Sequence, residues 1–327
     1  MATPLFTLAE LEHALVVVGR TMSSTPQYAW PLSGERVGAE VWLKHENHTP
    51  IGAFKVRGGL NYLDALCSGD KHPNGLITAT RGNHGQSIPF AASRYGLDVT
   101  VLVPVGNSVE KNKAMQAWGA KLIEHGEDFD EAKLEAARLA ELDGLEFVPA
   151  FHPMLVCGVA TYAHEFLSSC NDLETIYVPI GMGSGICALI TTRDLLGLQT
   201  EIVGVVSTHA PAYALSFESG QVVETDTAKT FADGVACRVP SPDALEIILS
   251  GAARVVRVSD DEVAGAMRAI YADTHNVAEG AGAAAFAALL KEKERHQGRK
   301  VGAVLTGGNI DTTLFAQVLR GETPLVS

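Results

Sequence analysis

Residues 175–195 read TIYVPIGMGSGICALITTRDL. The first six are apolar or β-branched almost throughout, the pattern of a strand buried on both faces. Gly181, Met182, Gly183, Ser184 and Gly185 then break the run, and a helical pattern carries on to 195. A buried strand, a glycine turn and a helix form half of a parallel βαβ unit. The same alternation spreads outward in both directions. Expected strands are 41–45, 76–80, 99–103, 121–124, 146–149, 175–180, 202–206, 254–258 and 301–305. Expected helices are 7–18, 56–67, 85–95, 110–118, 128–142, 154–169, 185–195, 259–273, 278–293 and 311–319. Valine-rich strands separated by helices indicate an α/β fold with a mostly parallel, doubly wound sheet. The stretch 208–242 is looser and reads as an active-site rim or an interface.

Composition narrows the function classes. The 327 residues suffice for two domains or one large α/β unit, and 46% of them are hydrophobic, enough for a sizeable core. Thirty-eight acidic against 25 basic residues leave a net charge of −13, which argues against nucleic-acid binding as the main activity. The five cysteines (Cys67, Cys157, Cys170, Cys187 and Cys237) are odd in number and contain no CxxC, so neither a disulfide framework nor a zinc cluster is indicated. A reducing cytoplasm suits them. The opening LVVV run is too short for a membrane span, and no metal motif appears, HExxH spacing being absent at His45–His48.

Four segments carry chemistry. In IGAFKVRGG (51–59) Lys55 stands between Phe54 and Val56 at an expected helix start, where desolvation lowers an amine pKa and favours Schiff-base formation; a plain surface lysine is the other reading. TATRGNHGQS (78–87) runs from strand to helix, and its free N–H groups suit a substrate carboxylate, unless it is a simple βα turn. His84 alone reads as structural. The 181–185 turn suits a phosphate, yet it matches neither the GxGxxG dinucleotide fingerprint nor the nucleotide P-loop. In LTGGNID (305–311) Thr306 offers a hydroxyl at a strand end. Glu279, opening the run EGAGAAAFAALL, is either a helix N-terminal carboxylate or an active-site group.

With these segments in this order, the chain resembles the fold-type II pyridoxal-phosphate enzymes (the tryptophan synthase β-like fold), in the threonine dehydratase and serine racemase group. The S/A-F-K-x-R-G motif appears as AFKVRG, the GNHxQ loop as GNHGQ, the tetraglycine phosphate loop as GMGSG, the ADG segment as FADGVA (231–236) and the S/C-G-G-N turn as TGGN. The resemblance spans roughly 20 to 320. It implies two doubly wound open-sheet domains, 1–49 with 151–327 as the larger and 50–150 inserted, with pyridoxal 5'-phosphate in the cleft between them. It implies a Schiff base on Lys55, which would then remove the substrate Cα proton. Gly181, Met182, Gly183, Ser184 and Gly185 would bind the phosphate, and Phe54 would pack beside the ring. Asn83 would bond the ring hydroxyl, Gly234 would adjoin the ring, and Thr306 would face the pyridine nitrogen. Thr80, Arg81, Gly82, Asn83 and His84 would receive the substrate. The implied reaction is loss of water from a β-hydroxy amino acid such as L-threonine or L-serine, giving a 2-oxo acid and ammonia. A homodimer is common in the family. The chain leaves no room for an appended regulatory domain after its last expected helix, which suits an enzyme without feedback control by isoleucine.

Three departures qualify the resemblance. Where the family has SSGNH or SAGNH this chain has TRGNH, so Arg81 replaces the serine that serves racemases as a second acid/base. Arginine stays protonated and is a poor proton shuttle, which favours dehydration over racemisation. Arg81 either pairs with a substrate carboxylate, opening the way to 3-hydroxyaspartate, or braces its loop. Val206 stands where the family's metal site begins with a glutamate, so no metal is expected. CGVAT (157–161) departs from the usual GQGT and alters the wall beside the small domain. Competing readings are racemisation or β-replacement on the same scaffold, phenylserine as substrate, a non-catalytic ligand-binding member, and a nucleotide-binding Rossmann protein. Intact Lys55 opposes the non-catalytic reading, and the missing glycine fingerprint opposes the last.

Overall fold

The computed structural model describes residues 4–69, 72–170 and 172–325. Along the chain run α1 (Leu8–Gly19), β1 (Gln27–Ala29), α2 (Pro31–Val37), β2 (Glu40–His45), α3 (Lys55–Cys67), β3 (Leu76–Ala79), α4 (Asn83–Ala92), β4 (Val99–Val103), α5 (Val109–Ala117), β5 (Ala120–Glu124), α6 (Phe129–Asp143) and β6 (Glu146–Phe147). Then follow α7 (Pro153–Ser169), β7 (Thr175–Pro179), α8 (Ser184–Leu195), β8 (Glu201–Ser207), α9 (Ala212–Ser219), α10 (Pro242–Gly251), β9 (Ala252–Val258), α11 (Asp260–Thr274), α12 (Gly280–Lys291), β10 (Lys300–Leu305) and α13 (Thr312–Leu319).

The strands form two sheets. One has the order β1-β2-β10-β7-β8-β9 and is parallel except for β1, which pairs antiparallel with β2. The other has the order β5-β4-β3-β6 and is parallel throughout. Both are covered on two faces. Residues of α1, α7, α8 and α10 pack on one side of the larger sheet, and those of α2, α11, α12 and α13 on the other. The smaller sheet lies between α3, α4 and α5 on one side and α6 on the other. Burial on both faces is what the unbroken valine and isoleucine runs require.

Four elements lie where the sequence pattern showed none. They are β1, α2, α9 and α10; α9 lies near the start of the loose stretch expected over 208–242, and α10 begins where that stretch ends. The helix expected over 85–95 instead begins at Asn83 and ends at Ala92, followed by a 3-10 turn, Ser93–Tyr95. The 157–161 stretch lies where α7 crosses α3. A Cβ on Gly158 would stand 2.3 Å from the Arg57 carbonyl oxygen, so the two backbones touch only because this residue is glycine.

A buried ionic cluster fixes the approach to α3. Arg57 donates from Nε to Glu46 at 2.7 Å, and from Nη1 to Glu165 at 2.7 Å and to Thr161 at 2.9 Å. Lys44 donates to Glu165 at 2.6 Å. Both cations are fully buried. The turn before Lys55 is therefore locked to β2 and α7.

Candidate active site

The carboxyl ends of four parallel strands converge, the usual place for a ligand crevice in such sheets. Lys55 follows β2, Thr80–Gly82 follow β3, the 181–185 turn follows β7 and Thr306 follows β10. They line one cavity of about 130 Å³. Every candidate site residue named from the sequence lines it: Phe54, Lys55, Thr80, Arg81, Gly82, Asn83, His84, Gly181, Met182, Gly183, Ser184, Gly185, Gly234 and Thr306.

Lys55 is the first residue of α3. The preceding backbone is held by Thr49, whose Oγ1 accepts from Ala53 N and donates to Ala53 O, both at 2.8 Å, and by Phe54 N donating to Thr306 O at 3.0 Å. The Lys55 ammonium donates to Ser184 Oγ at 2.9 Å and stands 5.1 Å from the centre of the Phe54 ring. No carboxylate pairs with it among the described residues. Burial pulls its pKa down to about 8. His84, buried by α4, is pulled down to about 3 by burial and by the Lys55 charge, so it is neutral near pH 7. Burial pushes the Cys237 thiol up to about 12, which removes it as a nucleophile.

The glycine turn is a cradle with no room for a side chain at Gly181 or Gly183. A Cβ on Gly181 would lie 2.2 Å from Gly234 O, and one on Gly183 would lie 2.7 Å from Ala244 Cβ. Gly183 also has φ 97°, in the left-handed region that favours glycine. It precedes Ser184, the first residue of α8, and no side chain caps that helix. The opening N–H groups of α8 are thus free for an anion. Tyr213 and Tyr162 hold the turn, donating to Met182 O at 3.1 Å and to Gly185 O at 2.9 Å. A half-buried amine with no carboxylate partner, a helix N-terminus with a glycine cradle and a strand-end hydroxyl at Thr306 fit a phosphorylated aldehyde. Val206, at the position where the family has a metal-binding glutamate, is buried among apolar neighbours, and its side chain offers a cation no oxygen.

Three charged residues of this cavity were not assigned to it from the sequence. Lys111 donates to Asp233 Oδ2 at 2.5 Å and stands 3.2 Å from Glu279 Oε2. Burial opposes the Lys111 charge, but Asp233 and Glu279 outweigh it and hold its pKa above the ordinary lysine value. Burial raises the Glu279 carboxyl against the pull of Lys111, and Asp233 adds to the rise. Glu279 was one of two open readings: it stands at the N-cap of α12 but makes no cap bond, and accepts instead from Asn83 Nδ2 at 2.6 Å. Asn83 Oδ1 accepts from Asn309 at 2.8 Å, so the asparagine expected at a ring hydroxyl is already held on both sides. Lys111 gave no signal, since VEKNKAM reads as an exposed helix face. Asp233 carried a weak one as part of the FADGVA segment.

Comparison with known proteins follows this geometry. Residues 20–307 match the model of a family described as pyridoxal-phosphate dependent enzyme. The chain is similar to an L-threonine dehydratase, catabolic, of Escherichia coli, with 32% identity over 87% of each chain. It is similar to an L-threonine ammonia-lyase of Geobacter sulfurreducens, with 35% identity over 88% of this chain and 72% of that one. Among solved structures, the processed threonine deaminase isoform 2 of Solanum lycopersicum superposes with a TM-score of 0.87 at 27% identity, covering 98% of this chain and 95% of the other. A pyridoxal 5'-phosphate-dependent aspartate racemase gives a TM-score of 0.90 over 96% of this chain and 98% of its own, and at 24% identity it speaks for the fold alone.

Proposed function

Since this chain belongs to the family of pyridoxal-phosphate dependent enzymes, we propose that it eliminates water from a β-hydroxy amino acid such as L-threonine or L-serine, releasing a 2-oxo acid and ammonia. The cofactor, when bound, supplies an aldehyde for a Schiff base and an electron sink that acidifies the substrate Cα. The observation that carries the reading is Lys55 itself: a half-buried amine in the cavity, without a carboxylate partner among the described residues and held at 2.9 Å by the Ser184 hydroxyl at the mouth of α8. With its pKa near 8, a useful fraction of the amine is neutral at physiological pH.

The other residues take roles that suit their places. Backbone N–H groups of Gly181–Gly185 would bind the phosphate, and Phe54 would pack beside the ring, with Gly234 close against Gly181. Asn83 would hold the ring hydroxyl, and Thr306 would face the pyridine nitrogen. A neutral hydroxyl there does not force that nitrogen to be protonated, which suits elimination, since the leaving group drains charge from Cα. Thr80, Arg81, Gly82, Asn83 and His84 form the substrate side, with the α-carboxylate at the N–H groups opening α4. Lys55 holds the Cα proton once removed. Arg81 replaces a proton shuttle on the opposite face, and this supports dehydration over racemisation. The sheets of 76–147 and of 27–45 with 175–305 support a division into a small domain, 50–150, inserted in a large one, 1–49 with 151–327. A homodimer in the cytoplasm completes the reading. No helix among the described residues is long and apolar enough to cross a membrane.

The test is release of 2-oxo acid from L-threonine and L-serine by the cofactor-loaded enzyme. Lys55→Ala is expected to abolish it. Bound cofactor with no oxo acid from any β-hydroxy amino acid would sink the reading in favour of replacement or racemisation.

A further inference from the structure

Arg81 differs from the other arginines near the cavity. Arg57 is paired with Glu46 and Glu165, and Arg238 with Asp128 at 3.2 Å and Asp130 at 2.7 Å. The Arg81 side chain makes no hydrogen bond and no ion pair among the described residues, and its buried Nε has no partner. A guanidinium that braced its own loop would donate to something in that loop. This one donates to nothing, while Gly82 N in the same turn donates to Thr80 Oγ1 at 3.0 Å.

Its place gives the unspent charge a use. A second cavity, of about 600 Å³, lies against the first, and the two share a rim of Arg81, Phe129, Ala150, Met182, Ala236 and Cys237. Among the described residues, Arg81 is the only cation on that rim. Asp128 and Asp130 also line the outer cavity, but both lie against Arg238, which leaves one negative charge among the three. Glu127 and Asp226 line it as well, and neither pairs with Arg81. Lys133 and Lys229 stand there too, exposed to solvent. A half-buried planar fork with no protein acceptor matches a carboxylate, which it can hold through two parallel bonds. The α-carboxylate of the substrate has its own anion site at the start of α4, so the fork is free for a second one.

We propose that Arg81 binds a carboxylate on the substrate side chain, and that the preferred substrate is a β-hydroxy dicarboxylic amino acid. This rests on the dehydratase reading above. With 3-hydroxyaspartate the enzyme removes the Cα proton and the β-hydroxyl as water. The resulting imine takes up water to give oxaloacetate and ammonia, so the net change is loss of ammonia alone.

The experiment compares holoenzyme kcat/KM for L-threonine and L-threo-3-hydroxyaspartate in wild type, Arg81→Ala and Arg81→Lys. It also measures binding of L-aspartate, which has the second carboxylate and no leaving group. The wild type is expected to favour hydroxyaspartate. Arg81→Ala is expected to lose about a hundredfold on that substrate, mainly in KM, as when one partner of a charged pair is removed, and to lose distinctly less on threonine, so that the preference for hydroxyaspartate collapses. Arg81→Lys should recover part of the loss, and L-aspartate binding should weaken in parallel. Equal losses on both substrates would place Arg81 on the α-carboxylate and overturn the proposal, as would a wild type without preference for hydroxyaspartate. If neither substrate is turned over, the dehydratase reading falls. L-Aspartate binding then decides Arg81 separately, and binding unaffected by Arg81→Ala overturns its role.

Discussion

A lysine enclosed by protein with no carboxylate beside it is destabilised in its charged form, so its neutral, nucleophilic form appears at lower pH. Lys55 is in that condition, with burial as the cause and a pKa of about 8. Capture of pyridoxal phosphate by the cofactor-free protein should therefore accelerate as pH rises, with a midpoint near 8. A midpoint at the ordinary lysine value of about 10.4 would mean that the amine is open to water. His84 should contribute no inflection between pH 5 and 8, because burial and the Lys55 charge keep it neutral there. At this scale the sequence was readable where a single motif holds the residue. Lys55, the glycine turn and Thr306 each sit in a short recognisable string. Lys111 sits in none, Asp233 sits in the FADGVA string without a role read from it, and Glu279 stays open between two readings. They meet from three distant segments, and nothing along the chain separates Lys111, which ends up buried in the site, from Lys113 two residues on.

The turn from β7 into α8 is the element on which cofactor binding depends, and its glycines are not equivalent. A methyl on Gly181 would collide with the backbone of Gly234 at 2.2 Å, and that backbone cannot turn aside as a flexible side chain would. A methyl on Gly185 would meet its nearest neighbour, Val178, at 3.5 Å, an ordinary contact. Gly181→Ala is expected to weaken cofactor affinity at least tenfold in a fluorescence titration, a loss of about 1.4 kcal/mol. Gly185→Ala should stay within about threefold of wild type. Similar losses in both would show that the cradle needs flexibility at every glycine rather than space at one. Elements as such were legible when long and apolar: β4, β7, β8 and β10 carry the periodicity of buried parallel strands. The elements missed are short. The strand β1 has 3 residues and the helix α2 has 7, too few turns to show a period. The helices α9 and α10 flank a stretch rich in polar residues and proline, which masks two real apolar faces.

At the scale of the whole molecule, the cavity lies between the two sheets, and polar contacts clasp them across it. The smaller-sheet side contributes Asn83, Lys111, Asp128 and Asp130, and the other side Glu279, Asp233, Asn309 and Arg238. Enzymes of this kind commonly close such clefts on substrate. The centre of the clasp is Lys111, one cation between two carboxylates that would otherwise repel each other in a buried place. Removing it should cost more than its own bonds. Lys111→Met is expected to lower stability by about 3–5 kcal/mol, the range for breaking a buried pair from one side. Adding Glu279→Gln should restore much of that, since the amide removes a charge while keeping an oxygen for Asn83. The pH dependence separates charge from packing. Burial and Asp233 already raise the Glu279 carboxyl, and without Lys111 it should rise further. A carboxyl whose folded pKa lies above its unfolded value costs stability as pH climbs from the unfolded value through the folded one, and that cost disappears in acid. The deficit of Lys111→Met, read as a Tm difference from wild type, should therefore shrink as pH falls from 7 towards 4. A deficit of constant size over that range would mean that the lysine stem fills space between the two halves, and that the clasp is held by packing rather than by charge.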